Sequence, residues 1–215
     1  MKLTLSTSSG RLVGAMGAKR TRGKNTRAAL LGAAAGLLEG HGLEAVTLRA
    51  VGERAGVSRQ APYKHFADKE ALLSVLATGY FERFGREMLG AAEEAGADPL
   101  SRLRAIGEVY VRFALEGPHR YRLMFGEKMQ KSPHPEVHEA TQALYGRFVR
   151  AVADCQEAGQ LPDGEPTRLA ALIYATVHGA VDLALAGQAE ESKGLQDPLS
   201  QLRLLLFYLG SKAGG

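Results

Sequence analysis

Four side chains within one short stretch, Arg59, Gln60, Tyr63 and Lys64, combine the chemistry that reads DNA. A guanidinium can donate two parallel hydrogen bonds to guanine, and a glutamine amide can pair in the same way with adenine. The lysine and the tyrosine hydroxyl suit phosphate oxygens, which fix the position of a protein on the duplex without reading its sequence. Since residues three and four apart share a helix face, the stretch predicts a DNA-contacting helix.

A second set of side chains has the character of a small-molecule pocket, with apolar walls and a few polar groups. The set consists of Tyr110, Phe113, Met124, Phe125, Tyr174, His178 and Asp182. Aromatic and methionine side chains at helical spacing are equally typical of an ordinary core. His178 and Asp182, four residues apart, can also simply hydrogen-bond to each other. The pocket and the core therefore both stay open as interpretations.

Metal and catalytic chemistry have little support in the sequence. His134 and His138 have ligand spacing at a helix start, but Pro135 follows the first histidine and the glutamate of an HExxH site is not in its place. The lone cysteine, Cys155, belongs to no catalytic signature, and the sequence contains no glycine-rich phosphate loop or serine nucleophile elbow. The sequence therefore predicts no enzyme, no metal site and no cofactor.

Two short helices joined by a tight turn would position the DNA-contacting residues. Apolar residues recur at helical spacing after Thr47, whose hydroxyl oxygen can cap the first helix. Gly56 can close that helix in the left-handed conformation, and Ser58 is predicted to cap the second helix, which ends near Phe66. The pattern predicts a helix-turn-helix with an exposed basic, amidic and aromatic face.

The segment from Arg27 to Leu73, with HGLEAVTLRAVGERAGVSRQAPYKHFADKEALL at its centre, resembles the DNA-binding domain of the TetR family of bacterial repressors. The glycine before the first cap, the Gly-Val-Ser turn, and Tyr-x-His-Phe followed by Asp-Lys-Glu occur in order at fixed spacing. Pro62 departs from the aliphatic residue that most relatives carry there, and it disfavours helical geometry at Ala61. The departure concerns where the second helix starts.

The resemblance implies an all-α fold with an N-terminal three-helix helix-turn-helix domain joined to a larger helical ligand-binding and dimerisation domain. It also implies a dimeric repressor that binds a pseudo-palindromic operator and is released by a small-molecule ligand. The candidate DNA contacts are Thr47, Arg49, Ser58, Arg59, Gln60, Ala61, Tyr63, Lys64, His65 and Lys69. For His65 and Tyr63 the alternative is packing between the second helix and the helix that braces it.

Charge and composition divide the chain in the same place. Residues 1–70 carry 12 Lys and Arg against 5 Asp and Glu, whereas residues 71–215 carry 15 against 18. The basic excess lies at the helix-turn-helix end, as expected for a segment that meets phosphates, although a solvated basic face is the alternative. The absence of an unbroken apolar run, of a secretory signal and of a possible disulfide pair predicts a cytoplasmic protein without a membrane span.

Three segments are predicted: a disordered basic arm over 1–24, the DNA-binding domain over 25–70, and the ligand-binding and dimerisation domain over 71–215. The arm either tracks DNA or is a non-functional extension, with Met16 as a possible start. A helix over 26–41, a long helix capped by Asp68, and five helices that begin near prolines follow from apolar spacing.

The last two helices, over 167–187 and 198–210, carry small residues and leucine stripes. In the resembled family such helices pair with their copies in a second subunit, while burial within one subunit is the alternative. The His178-Gly179 pair resembles a C-terminal subclass in which tryptophan precedes the histidine, here replaced by Val177, which would reshape a cavity. Two other functions stay open: an all-α small-molecule binding protein or enzyme with an incidental basic helical pair, and a non-specific architectural DNA protein.

Overall fold

The computed structural model describes the backbone of residues 10–195 and 197–211 and the side chains from residue 25 onward within those ranges. About 80% of the chain is helical, and the described residues contain no strand. The all-α prediction is confirmed. The helices are α1 (Gly10–His41), α2 (Leu48–Arg54), α3 (Ala61–His65), α4 (Lys69–Glu94), α5 (Pro99–Glu116), α6 (Pro118–Phe125), α7 (Glu127–Gln130), α8 (Pro135–Glu157), α9 (Pro166–Leu185) and α10 (Pro198–Ser211).

Proline starts five of these helices, as the sequence predicts, because its fixed φ suits the first helical turn and its missing N–H is not needed there. Acidic caps precede three of them directly: Asp98 accepts a hydrogen bond from the Ser101 amide, Glu165 accepts from the Thr167 and Arg168 amides, and Asp197 accepts from the Leu199 and Ser200 amides. The predicted cap of α4 is also present, since Asp68 accepts from the Ala71 amide at 2.8 Å. The short α7 and two 3-10 turns, Leu43–Ala45 and Glu191–Lys193, were not predicted.

Helix α1 begins earlier than the predicted helix over 26–41. Its backbone is helical from Gly10, so it overlaps the segment predicted to be a disordered arm. The overlap contains no proline, and residues with good helix propensity such as Arg, Lys, Ala and Met alternate there with four glycines. Residues 1–9 lie outside the described residues, and whether the arm contacts DNA stays a prediction.

The chain forms two compact units, one up to Leu76 and one from Ala77. In the first, α1 packs against α2, α3 and the first 3-10 turn around Leu30, Leu38, Val46, Val51 and Phe66. In the second, α5 packs against α6, α8, α9 and α10, and Leu103, Val111, Ile173 and Leu202 are almost fully buried. The predicted domain boundary at residue 70 lies near the change of unit and stays a prediction.

By length and composition alone, α9 is the one helix of the described residues that could cross a membrane. The sequence analysis predicted no membrane span, because no apolar run is unbroken over the length needed to cross a bilayer. Core helices of soluble proteins meet the same criterion, and α9 packs one face against α5, α8 and α10. Its opposite face leaves Leu172 54% exposed.

Candidate nucleic-acid interface and ligand cavity

The first helix of the predicted pair begins and ends as its sequence indicates. Thr47 accepts a hydrogen bond from the Ala50 amide at 3.1 Å and so caps α2. Leu48 and Val51 are buried. Gly56 has a φ of 65°, the left-handed conformation that a glycine adopts without a side-chain penalty. The turn that follows directs the chain into α3.

Helix α3 starts later than predicted, and Ser58 is not its cap. Gln60 holds the cap position without a side-chain hydrogen bond, and the Ser58 carbonyl accepts from the Ala61 amide at 2.9 Å to close a turn. The cause is Pro62: in a helix begun at Ser58 it would occupy an interior position whose N–H is needed. Starting at Ala61 places the proline in the first turn, where the missing donor costs nothing.

Pro62 also joins the two helices. It is buried, and a Cβ built on Gly52 of α2 would lie 2.8 Å from its Cγ. Only a glycine at residue 52 therefore allows α3 to approach α2 this closely. This contact holds the short α3, which has only five residues and a single turn of its own, against the rest of the unit.

Most of the predicted DNA contacts lie on the surface of this unit. Tyr63 is 57% exposed, although it is a large aromatic residue. The other exposed members are Thr47, Arg49, Ser58, Arg59, Gln60 and Lys64, while Ala61, His65 and Lys69 are half-buried. Within the described part of the chain, Arg59, Gln60 and Lys64 have no recorded hydrogen bond or ion pair. Their polar groups are therefore available to an external partner.

Two of the predicted contacts already have internal partners. Arg49 forms an ion pair with Glu53 at 2.9 Å, and the hydrogen bond with that carboxylate raises the pKa of the arginine. Lys69 donates to the Leu43 carbonyl at 3.0 Å, which links the start of α4 to the first 3-10 turn. Either residue would have to share or exchange these partners to contact a phosphate.

The second unit contains a partly open cavity of about 280 Å³. Of the seven predicted pocket residues, Tyr110, Met124, Phe125 and Tyr174 line it, whereas Phe113, His178 and Asp182 do not. Phe113 instead packs against Phe84 at a ring separation of 4.6 Å. Val177 also lines the cavity.

His178 and Asp182 belong to a hydrogen-bonded cluster directly behind Tyr110. The His178 Nδ1 lies 2.6 Å from the Tyr110 hydroxyl and 2.9 Å from the Tyr121 hydroxyl. Tyr121 donates to Asp182 Oδ1 at 3.0 Å, and the His178 Nε2 lies 3.5 Å from Asp182 Oδ2. Both hydroxyls meet the same ring nitrogen, and Nδ1 accepts from Tyr110 when Tyr121 donates its single proton to Asp182. Tyr110 is therefore the member that connects the cluster to the cavity.

Burial keeps the tyrosines of this cluster neutral. It raises the pKa of both Tyr110 and Tyr121 well above the usual value. Tyr121 and Asp182 raise the pKa of Tyr110 further, whereas the hydrogen bond with Tyr110 partly offsets the rise in the pKa of Tyr121. Burial also raises the pKa of Tyr174. The lone Cys155 is buried as well, which raises its pKa to about 12 and leaves it an uncharged thiol at neutral pH.

The sequence analysis missed several polar residues of the cavity wall. Gln130 comes from α7, and His138, Thr141 and Tyr145 come from α8. His138 was weighed only as a metal ligand, but its Nε2 lies 2.9 Å from the Ser132 carbonyl. It lies seven residues, or about two helical turns, before Tyr145 on the same face of α8, but this spacing alone does not show that the face meets a cavity.

Each of the two units contains a segment that matches a known protein family. The family described as bacterial regulatory proteins, tetR family, matches residues 30–76, and the tetracyclin repressor-like C-terminal domain matches residues 103–202. A structure of a protein with unknown function from Rhodococcus sp. RHA1 is 33% identical, with a TM-score of 0.77 over 87% of this chain and 94% of that chain.

Two relatives of similar sequence are named as transcriptional regulators. The HTH-type transcriptional regulator EthR of Mycolicibacterium smegmatis is 28% identical over 91% of this chain and 89% of its own length. The HTH-type transcriptional regulator AcrR of Shigella flexneri is 30% identical over 70% of this chain and 73% of its own length. The chain therefore belongs to the TetR family of bacterial transcriptional regulators.

Proposed function

We propose that the protein is a cytoplasmic repressor, not an enzyme, that binds a pseudo-palindromic operator as a homodimer and is released by a small molecule. Regulators of its family bind DNA operators and small-molecule ligands and act as dimers. The observation that carries the proposal is the exposed surface of α3 and of the turn before it, on which Arg59, Gln60 and Lys64 form no hydrogen bond or ion pair with the described residues. Two such faces would enter successive major grooves about 34–36 Å apart.

Within this face, residue type divides base reading from phosphate binding. Arg59 and Gln60 carry the forked donors and the amide that distinguish guanine and adenine, and each good bidentate contact discriminates by about 1–3 kcal/mol. Lys64 and the exposed Tyr63 hydroxyl would bind phosphates, as would Thr47, whose hydroxyl hydrogen stays available while its oxygen caps α2. Ser58, Ala61 and His65 would approach the backbone or base edges. Arg49 and Lys69 would contribute after giving up part of their internal contacts.

The cavity of the second unit would hold the effector. Of the described residues that line it, none is Asp, Glu, Lys or Arg, so the part of the ligand inside is uncharged and largely apolar. The Tyr110 and Tyr174 hydroxyls offer hydrogen bonds at its wall. An effector that bonds to Tyr110 would compete with His178, and this gives His178 and Asp182 an indirect role in recognition.

The exposed apolar faces of α9 and α10 would form the dimer interface. Phe207 is 68% exposed, Tyr208 59%, Leu172 54% and Leu204 48%, which is unusual for large apolar side chains. A Phe207→Asp variant should shift the protein from dimer to monomer in sedimentation analysis. Leu115→Asp, which changes an exposed leucine of α5, is the control that should stay dimeric. A dimeric Phe207→Asp protein would place the interface elsewhere.

Selection of bound sequences from a random duplex pool tests the DNA-reading part directly. The purified protein at physiological salt should enrich an inverted repeat. Arg59→Ala should then relax the preference at one position of each half-site, whereas Lys64→Ala should weaken all duplexes similarly and reduce the salt slope by about one. Recovery of DNA without enrichment of any sequence would indicate an architectural DNA protein instead. Recovery of no DNA at all would contradict the proposal.

A further inference from the structure

A second groove lies beside the cavity in the same unit. Its volume is about 500 Å³, and residues of α4, α5 and α8 line it. Four residues line both the groove and the cavity: Met88, Ile106, Leu144 and Phe148. The two spaces are therefore neighbours separated only by apolar side chains, of which Met88 is unbranched and flexible.

The two spaces differ in charge. The cavity wall carries no charged side chain among the described residues, but the groove is lined by Arg102, Arg147 and Arg150 against a single carboxylate, Asp154. Arginine guanidinium groups match carboxylate and phosphate oxygens in geometry as well as in charge. The groove is thus an anion-favouring extension of a neutral apolar cavity.

The three arginines are not equally available. Arg150 forms ion pairs with Asp154 at 2.7 Å and with Glu157 at 3.2 Å, and Arg102 donates to the Gly96 carbonyl at 2.6 Å. The described residues offer Arg147 no recorded hydrogen bond or ion pair. Its guanidinium lies across Gly85 of α4, where a Cβ would approach Nη1 to 3.5 Å. Arg147 is therefore the residue best placed to receive an anion.

We infer that the effector is an amphipathic anion, with an apolar chain in the cavity and a carboxylate or phosphate head group held by Arg147 in the groove. This inference rests on the proposed function and specifies the ligand class of its effector site. The apolar residues that line both spaces would surround the part of the ligand that joins its chain to its head. Arg102 would assist by turning part of its guanidinium toward the head group.

Four compounds that share one decyl chain test the charge preference: decan-1-ol, decanoate, decyl phosphate and decyltrimethylammonium. Their binding to the purified full-length protein is measured by titration calorimetry without DNA. We expect decyl phosphate to bind most tightly, followed by decanoate, then the alcohol, and the cation least. Arg147→Gln should weaken the two anions by about three- to tenfold and leave the alcohol unchanged.

Arg112→Gln is the matched control, because Arg112 is exposed on α5 and lines neither space. Equal effects of the two variants, equal binding of alcohol and anions, tightest binding of the cation, or no binding of any decyl compound would each overturn the inference. Operator selection on the same preparation separates this from the proposed function. If an operator is recovered but anions are not preferred, only the inferred ligand class is wrong. If anions bind but no operator is recovered, the proposed repressor function is wrong.

Discussion

The two units of this chain place their functional chemistry in opposite ways. In the unit up to Leu76, the polar groups lie on the outside of one stretch between Thr47 and Lys69. In the unit from Ala77, they lie around an internal space lined by residues between Phe84 and Leu206. A surface that reads DNA can be built from one local motif, whereas a cavity requires helices that are distant in sequence to meet.

Each unit also depends on a glycine where two helices meet, but the neighbours differ. A Cβ on Gly52 would lie 2.8 Å from the ring of Pro62, and a Cβ on Gly107 would lie 2.7 Å from a methyl group of Leu202. The proline ring is fixed to the backbone, whereas a leucine can rotate. Leu202 also lines the cavity, so it has space into which it can move. The same substitution should therefore have different consequences in the two units.

The largest effect is expected from Gly52→Ala. The added methyl group must push α3 away from α2, and the net destabilisation should be about 1–2 kcal/mol after the gain in helix propensity. Because α3 carries the DNA-contacting face, operator affinity should fall about tenfold, and binding of decan-1-ol should not change. Thermal unfolding, gel-shift titration and calorimetry measure these quantities.

Gly32→Ala is the control for this variant. Gly32 is exposed on α1, and nothing lies within 4 Å of a Cβ built there. The change should stabilise the protein by about 0.5–1 kcal/mol and preserve DNA binding. If Gly52→Ala bound operator as well as Gly32→Ala did, the close contact with Pro62 would not position α3.

Gly107→Ala should be milder for folding and specific for the cavity. Rotation of Leu202 relieves most of the overlap, so the free energy of unfolding should fall by about 1 kcal/mol, at the low end for overpacking. The rotated side chain occupies cavity volume, so decan-1-ol should bind more weakly while operator affinity in the absence of ligand stays the same. Unchanged calorimetric binding of the alcohol would contradict the assignment of this space as the effector site.

Tyr110→Phe tests the buried hydroxyl cluster of the second unit. Loss of the 2.6 Å contact with His178 should cost about 0.5–1.5 kcal/mol at neutral pH. Because burial raises the pKa of Tyr110 in the folded state, the wild-type protein loses this stabilisation as pH rises above the unfolded value of about 10. The difference in stability between wild type and variant should therefore shrink at alkaline pH.

Tyrosinate absorbance gives an independent readout of the same cluster. As the pH is raised, tyrosinate absorbance increases before the protein unfolds. Tyr110→Phe should not reduce this increase, since Tyr110 stays protonated in the folded protein. Tyr63→Phe is the control, because Tyr63 is 57% exposed and lies outside both the cluster and the proposed dimer interface. A loss of native-state tyrosinate signal in Tyr110→Phe would show that this hydroxyl ionises without unfolding.

The contrast between the units explains how far the sequence could be interpreted. The cap at Thr47, the left-handed Gly56 and the cap at Asp68 follow from local rules and are confirmed. The cap at Ser58 was wrong because the effect of Pro62 on the preceding turn outweighed the local preference of serine. Cavity residues such as His138 and Tyr145 could not be found, because apolar spacing identifies the buried face of α8 without showing which part of that face meets empty space.

The smallest expected effect concerns acid and falls on the second unit. Hydrogen bonds from Ser101 and then from Gln160 lower the pKa of Asp98, and those from Thr167 and from Ser200 lower the pKa of Glu165 and Asp197 respectively. All three start helices of this unit. A carboxylate with a lowered folded pKa contributes stability above its unfolded pKa and loses it as pH falls toward the folded value.

Asp98→Asn keeps an acceptor for the Ser101 amide but removes the charge. Its melting temperature should therefore be slightly lower than that of wild type at pH 7, and should fall less between about pH 5 and pH 3, around the unfolded pKa of aspartate. Asp163→Asn, in the exposed loop before α9, serves as the control and should follow the wild-type profile. If the melting temperature of Asp98→Asn instead fell as far on acidification as that of wild type, the charge on Asp98 would not contribute to the acid sensitivity of the unit. The caps at Glu165 and Asp197 would then have to account for that sensitivity.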